Sequence, residues 1–291
     1  MNIRERLASA GFDRVIALDA RDAGAADHGT LMLALWTYQA EKHPAQRGAW
    51  IHPYYDASQK AYQAAKSAVE AAQSAGEKCA LRDDIRVKPI FARMPGFTQG
   101  RNTLTYAPGC GSRFHVQIVL TEESIPPDMQ PEREPHPLHC GDCRRCIDAC
   151  PSHAIDEGGY HRERCLRNWM FTGQSVPEEF RAAMGSRLLG CDECQRCCPH
   201  NPPPDGESVP AVPLDALLAD PKGTAAQLKV RIGSNMAIAN RVLAQACLLA
   251  GAQGDRALLP AIDGLRSHPS PAVREHAAWA YEQLSSMEES P

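Results

Sequence analysis

No stretch of this 291-residue chain approaches the ~20 consecutive apolar residues that a membrane span requires, so membrane insertion is not expected. The opening Met1-Asn-Ile-Arg-Glu-Arg6 lacks an apolar signal core, so export is not expected either. Charge of one sign is also missing. Thirty-one Lys and Arg against 35 Asp and Glu leave a net charge of −4, which confines any nucleic-acid contact to a local basic patch. There is no Walker A run and no dinucleotide fingerprint; Gly96, Gly100, Gly109 and Gly111 read as turns of an α/β domain. What the chain does have is cysteine, 12 in all. Its length, the missing leader and the ligand-like spacing argue against a disulfide scaffold and for a reducing, low-oxygen cytoplasm.

Two groups carry most of these thiols. Cys140-Gly-Asp-Cys143-Arg-Arg-Cys146-Ile-Asp-Ala-Cys150-Pro151 is the C-x2-C-x2-C-x3-C-P run of bacterial ferredoxins. Three thiolates in a tight loop hold three corners of one cubane, and the fourth cysteine ligates a second cluster. The later group is Cys191-Asp-Glu-Cys194-Gln-Arg-Cys197-Cys198-Pro199, with Cys165 between the two. Spacing assigns Cys140, Cys143, Cys146 and Cys198 to a first [4Fe-4S] cluster. Cys150, Cys165, Cys191 and Cys194 are assigned to a second, with Cys197 a competing thiol beside Cys198. Paired C-x2-C segments also suit structural zinc, but zinc sites rarely use eight cysteines in this frame. Cys79, Cys110 and Cys247 are isolated and read as small buried apolar residues, although Cys110 sits in a turn.

The rest of the pattern is a mixed α+β chain. Residues 1–11 predict a short helix, Val15–Asp19 and Leu31–Trp36 buried strands, 57–75 a breaker-free helix, and Arg113–Thr121 a strand. Five successive segments are expected. An N-terminal α/β domain takes 1–125, and a proline-rich linker 126–138 follows. A ferredoxin-like module takes 139–201, a second proline-rich linker 202–221, and a helical tail 222–291. In the tail Ser270 can cap a last helix that has Pro271 at its first position. Short breaks between paired helices suggest one or two HEAT-type units. Arg231, Arg241, Arg256, Arg266 and Arg274 there form either a phosphate-facing surface or a solvated one. Asp83-Asp84, expected at the start of a strand, is a candidate acid pair. His139, His153, His161 and His200 flank the cysteines and read as neighbours of the clusters rather than ligands.

Together these segments resemble the epoxyqueuosine reductase family, cobalamin-dependent iron–sulfur enzymes that finish queuosine in tRNA. The likeness lies in Cys140–Pro151, Cys165, the stretch Val176-Pro-Glu-Glu-Phe…Cys191-Asp-Glu-Cys194-Gln, Cys198-Pro-His-Asn201 and the tail Ser270-Pro-Ala-Val-Arg-Glu-His. Gly100-Arg-Asn-Thr-Leu104 and Gly111-Ser-Arg-Phe114 resemble the family's cobalamin-facing loops, which implies cofactor contacts for Asn102, Thr103, Gly111, Ser112, Arg113 and Phe114. The resemblance further implies a low-potential electron donor of ferredoxin or flavodoxin type, a tRNA partner reached through the helical tail, and a monomer.

The family pattern is also broken in places. Its acidic residue three positions before a proline falls at Arg86, with Asp83 and Asp84 further upstream of Pro89. Its Tyr-Ala-Arg-Gly segment is replaced by His52-Pro-Tyr-Tyr-Asp-Ala-Ser58. The electron path looks intact while the substrate end looks altered. The chain therefore also reads as a shortened paralogue with another substrate, or as a corrinoid-reducing electron carrier. It lacks an Asp-x-His-x-x-Gly run, so no axial histidine of that kind is expected.

Overall fold

The computed structural model describes residues 1–26, 28–40, 47–136, 140–203 and 211–286; His139, the linker residues 137–138 and 204–210, and 287–291 lie outside the described residues. Helices and strands are mixed, as expected. Contacts divide the chain into two compact units. Unit 1 is Met1–Ala40, Asp56–Arg144 and Cys198–Pro203; unit 2 is Glu41–Tyr55, Arg145–Cys197 and Pro204–Pro291. The two units are interleaved along the chain. The chain changes unit inside the first cysteine run, between Arg144 and Arg145, and again between the adjacent Cys197 and Cys198.

Unit 1 is built on a four-stranded sheet ordered Arg14–Asp19, Thr30–Thr37, Phe114–Thr121, Cys79–Leu81, antiparallel at every pairing. The central strand Thr30–Thr37 explains why an unbroken apolar run is a strand. Met32 and Ala34 point to one core, while Leu31, Leu33 and Leu35 point to another, so neither face needs polar residues. The first face is covered by helix Ile3–Ser9 and by helix Pro53–Ser74, whose Ala61, Ala65, Ala68, Val69 and Ala72 follow helical spacing. The small side chains on that stripe let the helix lie close to the sheet. The second face carries Ile90, Phe91, Met94 and Phe97, with Phe91 and Phe97 stacked at 4.9 Å. Antiparallel pairing throughout replaces the α/β arrangement expected for this part. The strand Cys79–Leu81 ends before Asp83, so the aspartate pair follows a strand instead of opening one.

Unit 2 centres on helix Ala239–Gln253, buried continuously from Val242 to Gly251. Helix Pro271–Ser285 packs closely enough that a Cβ at Gly251 would come within 2.8 Å of the Ala280 backbone. The fully buried His276 joins three segments. Its Nε2 accepts from the Val176 N–H at 2.8 Å, leaving Nδ1–H to donate to the Ala244 carbonyl at 2.9 Å. Burial pushes its pKa down to about 4, so it stays neutral. Helix Leu214–Ala219 lies in the stretch expected to be irregular linker, where Leu214, Leu217 and Leu218 bury one side of it. A two-residue parallel pairing of Trp50–Ile51 with Arg187–Leu189 brings the His52 segment beside Cys191.

Candidate metal centre

Each unit holds one cysteine frame. In unit 1 the Cys143 N–H donates to the Cys140 carbonyl at 2.9 Å, closing the tight turn that the C-x2-C spacing requires. Arg101 clamps this turn. Its guanidinium donates to the carbonyls of Cys143 and Gly141, each at 3.1 Å, and its own backbone N–H reaches Cys140 Sγ at 3.2 Å. The returning segment is held from the same loop. Tyr106 donates its hydroxyl proton to Cys198 Sγ at 3.1 Å, and Asn102 Nδ2 donates to the Tyr106 oxygen at 2.9 Å. Asn201 Oδ1 accepts from the Ser112 N–H at 2.7 Å. Gly111 is left-handed at φ +61°, and a Cβ there would collide with the Asn201 side chain and the His200 carbonyl.

Residues expected to face cobalamin therefore have other partners in the structure. Asn102 backs Tyr106, while Gly111 and Ser112 receive the Cys198–Asn201 turn. Phe114 packs edge-on against Phe91 at 5.7 Å, Arg113 is buried, and Thr103 is left-handed at φ +61°. Asn102, Gly111 and Ser112 brace the first cysteine frame. Sequence gives no view of partners some 90 residues away.

In unit 2 the sulfurs of Cys150, Cys165, Cys191 and Cys197 all act on Cys194. Burial first, then these neighbours, drive the Cys194 thiol well above its ordinary value, and burial pushes Cys191 up to about 12. Backbone donors reach two of the sulfurs, Ala154 N–H to Cys150 at 3.2 Å and Glu193 N–H to Cys191. Tyr160, 38% exposed, hydrogen-bonds Cys165. The substituted segment forms one wall of this frame. His52 Nδ1 accepts from the Tyr54 N–H at 3.0 Å, which leaves Nε2–H for Gln195 Oε1 at 3.3 Å. Cys146 lies in helix Arg145–Asp148.

The donor set fits iron–sulfur clusters. N–H and O–H groups point at sulfur, where charge resides on a cluster-bound thiolate. Among the described residues no three His, Cys, Asp or Glu side chains converge as they would on a single ion, a convergence that a cubane does not require. Elsewhere, Arg82 pairs bidentately with Asp84 at 2.7 and 2.6 Å and holds that exposed carboxyl below its ordinary value. Arg241, Arg266 and Arg274 of the tail bond to the Asn235 carbonyl, to Asp263 and to the His268 and Pro269 carbonyls. Cys79 and Cys247 are buried and Cys110 is half-buried, as expected of isolated thiols. Among the described residues no helix is long and apolar enough to cross a membrane.

Residues 139–201 match a family model described as a 4Fe-4S double cluster binding domain. In sequence, the chain is 31% identical over 192 residues to an epoxyqueuosine reductase of Bacillus anthracis, covering 62% of this chain and 49% of that one. It is 32% identical over 196 residues to the Bacillus subtilis enzyme, covering 64% and 49%. The chain thus spans about half the length of the curated relatives it matches. In fold, it resembles a selenomethionine-labelled epoxyqueuosine reductase with a TM-score of 0.75 at 20% identity, over 97% of this chain and 89% of that one. An epoxyqueuosine reductase bound to an epoxyqueuosine-modified tRNA-Tyr stem loop aligns with a TM-score of 0.71 at 21% identity, over 97% and 89%. The Bacillus subtilis enzyme, solved with its catalytic aspartate loop swung out of the active site, aligns with a TM-score of 0.71 at 20% identity, over 97% and 89%.

Proposed function

We propose that this chain is an iron–sulfur reductase acting as the epoxyqueuosine reductases it resembles act, passing electrons through two [4Fe-4S] clusters. The observation that carries this reading is the sorting of the cysteines. Cys140, Cys143 and Cys198 lie in unit 1, where the loop Arg101–Tyr106 donates to two of their sulfurs. Cys150, Cys165, Cys191 and Cys194 gather in unit 2. Seven of the eight proposed ligands are thus grouped as spacing assigns them, and Cys146, proposed for the first cluster from spacing, falls in unit 2. The hydrogen bond from Tyr106 to its sulfur supports Cys198 over Cys197 as the ligand.

The reaction takes two electrons and two protons. The epoxide C–O bonds break, an alkene forms, and the oxygen leaves as water. A proton donor is needed at that oxygen. The candidate acid pair, Asp83 and Asp84, lies on the loop that follows strand Cys79–Leu81, with Asp84 paired to Arg82. Cobalamin enters the proposal from the family likeness. Bound, it would supply low-valent cobalt for the reduction, with Asn102, Thr103, Gly111, Ser112, Arg113 and Phe114 the candidate contacts. The layout proposed is a sheet-based domain, a ferredoxin-like module and a HEAT-like tail that meets tRNA. The protein is proposed to be a cytoplasmic monomer served by a ferredoxin or flavodoxin. The altered His52–Ser58 segment and the basic Arg86 support a second reading, in which the same clusters serve a different substrate.

Anaerobic reconstitution tests the first step. About eight irons and eight sulfides per chain are expected, with broad iron–sulfide absorption; a colourless zinc protein overturns both readings. Incubation with epoxyqueuosine-containing tRNA and a low-potential reductant then separates them. Queuosine formation supports the first reading, and a fully loaded protein that leaves the tRNA unchanged supports the second.

A further inference from the structure

We infer that Tyr106, backed by Asn102, sets the reduction potential of the first cluster by donating a hydrogen bond to Cys198. The inference rests on the iron–sulfur reading above. Tyr106 is 5% exposed and Asn102 also 5%, so water does not compete for either group. Asn102 Nδ2 donates to the Tyr106 oxygen at 2.9 Å, which directs the hydroxyl proton outward to Cys198 Sγ at 3.1 Å. Asn102 Oδ1 is occupied by the Leu104 N–H at 3.2 Å, which fixes the amide with its nitrogen toward the tyrosine. The chain of donors therefore has one direction, and each bond polarises the next. A proton aimed at a cluster-bound thiolate stabilises the reduced, more negative cluster over the oxidised one. Tyr106 is thus a tuning residue that touches the ligand sulfur and leaves the ligand count unchanged.

The test is potentiometric titration of reconstituted full-length protein, followed by EPR. Tyr106→Phe should retain the full iron complement. One of the two midpoints should move to a more negative value while the other stays in place. In D2O-exchanged protein, pulsed EPR should lose one strongly coupled deuteron. Unmoved midpoints with the deuteron retained overturn the inference. If Tyr106→Phe fails to load the first cluster, Asn102→Asp decides. The new carboxylate accepts the tyrosine proton and turns it away from sulfur, so the same deuteron coupling should vanish; its persistence overturns the inference. Absence of iron–sulfide bands in the wild-type protein would instead end the parent reading.

Discussion

The two cysteine frames differ in where their hydrogen-bond donors come from. In unit 2 the donors are neighbours in the chain: Ala154 is four residues from Cys150, and Glu193 is two from Cys191. In unit 1 they are distant, with Arg101 39 residues from Cys140 and Tyr106 92 from Cys198. Local turns supply the backbone donors to the sulfurs of the second frame, and its buried Cys191 and Cys194 thiols resist becoming anions without a metal to neutralise them. The first frame depends on the folded sheet domain, which places one loop against two separate cysteine segments. The second should therefore be governed by its own thiols, and the first by residues outside the motif.

Removing a ligand breaks the comparison most sharply. Cys194→Ala should abolish the second cluster and leave about four irons per chain, because it takes away one of the four thiols proposed to hold that cluster. Cys143→Ala should remove the first cluster to the same extent; full iron in either variant contradicts the assignment. Gly111→Ala tests the claim that the first frame is held from outside. The strained φ and the collision with Asn201 should cost ~2 kcal/mol in chemical denaturation and deplete iron from the first cluster alone.

Acid acts on unit 2 through His276. Its folded pKa, about 4, lies below the ordinary 6.5, so its contribution is present above 6.5 and is lost as pH falls toward 4. Between pH 7.5 and 5.5 the wild type should lose ~1 kcal/mol more stability than His276→Gln, measured by urea unfolding at each pH. Tyr160→Phe should have the smallest effect. Its hydroxyl reaches Cys165 from a partly exposed position, so water can replace it, and the second cluster's midpoint should move less than the first does in Tyr106→Phe.

The double-cluster segment, matched by the family model over residues 139–201, was legible in the sequence because cluster coordination is a local rule written as residue spacing. The strands Arg14–Asp19 and Thr30–Thr37 were legible for the same reason, being apolar runs of strand length. Helix Leu214–Ala219 carried a signal in its i, i+3, i+4 leucines, but the flanking prolines hid it. The strand Trp50–Ile51, two residues long, gave too short a pattern to show any period. Asn102, Gly111 and Ser112 stood out in the sequence, but their contacts with Tyr106 and the Cys198–Asn201 turn did not. Their partners are set by long-range packing, which no local pattern encodes. Nothing in the sequence singled out Tyr106, since a lone tyrosine between threonine and alanine carries no periodicity and no spacing to a distant thiol.

The Ser112–Asn201 bond and the close fit at Gly111 have a consequence for the chain's tolerance of change. They tie the Cys198–Asn201 turn to a loop 89 residues earlier, so an insertion or a bulkier side chain in either segment would displace Cys198 while leaving every cysteine in place.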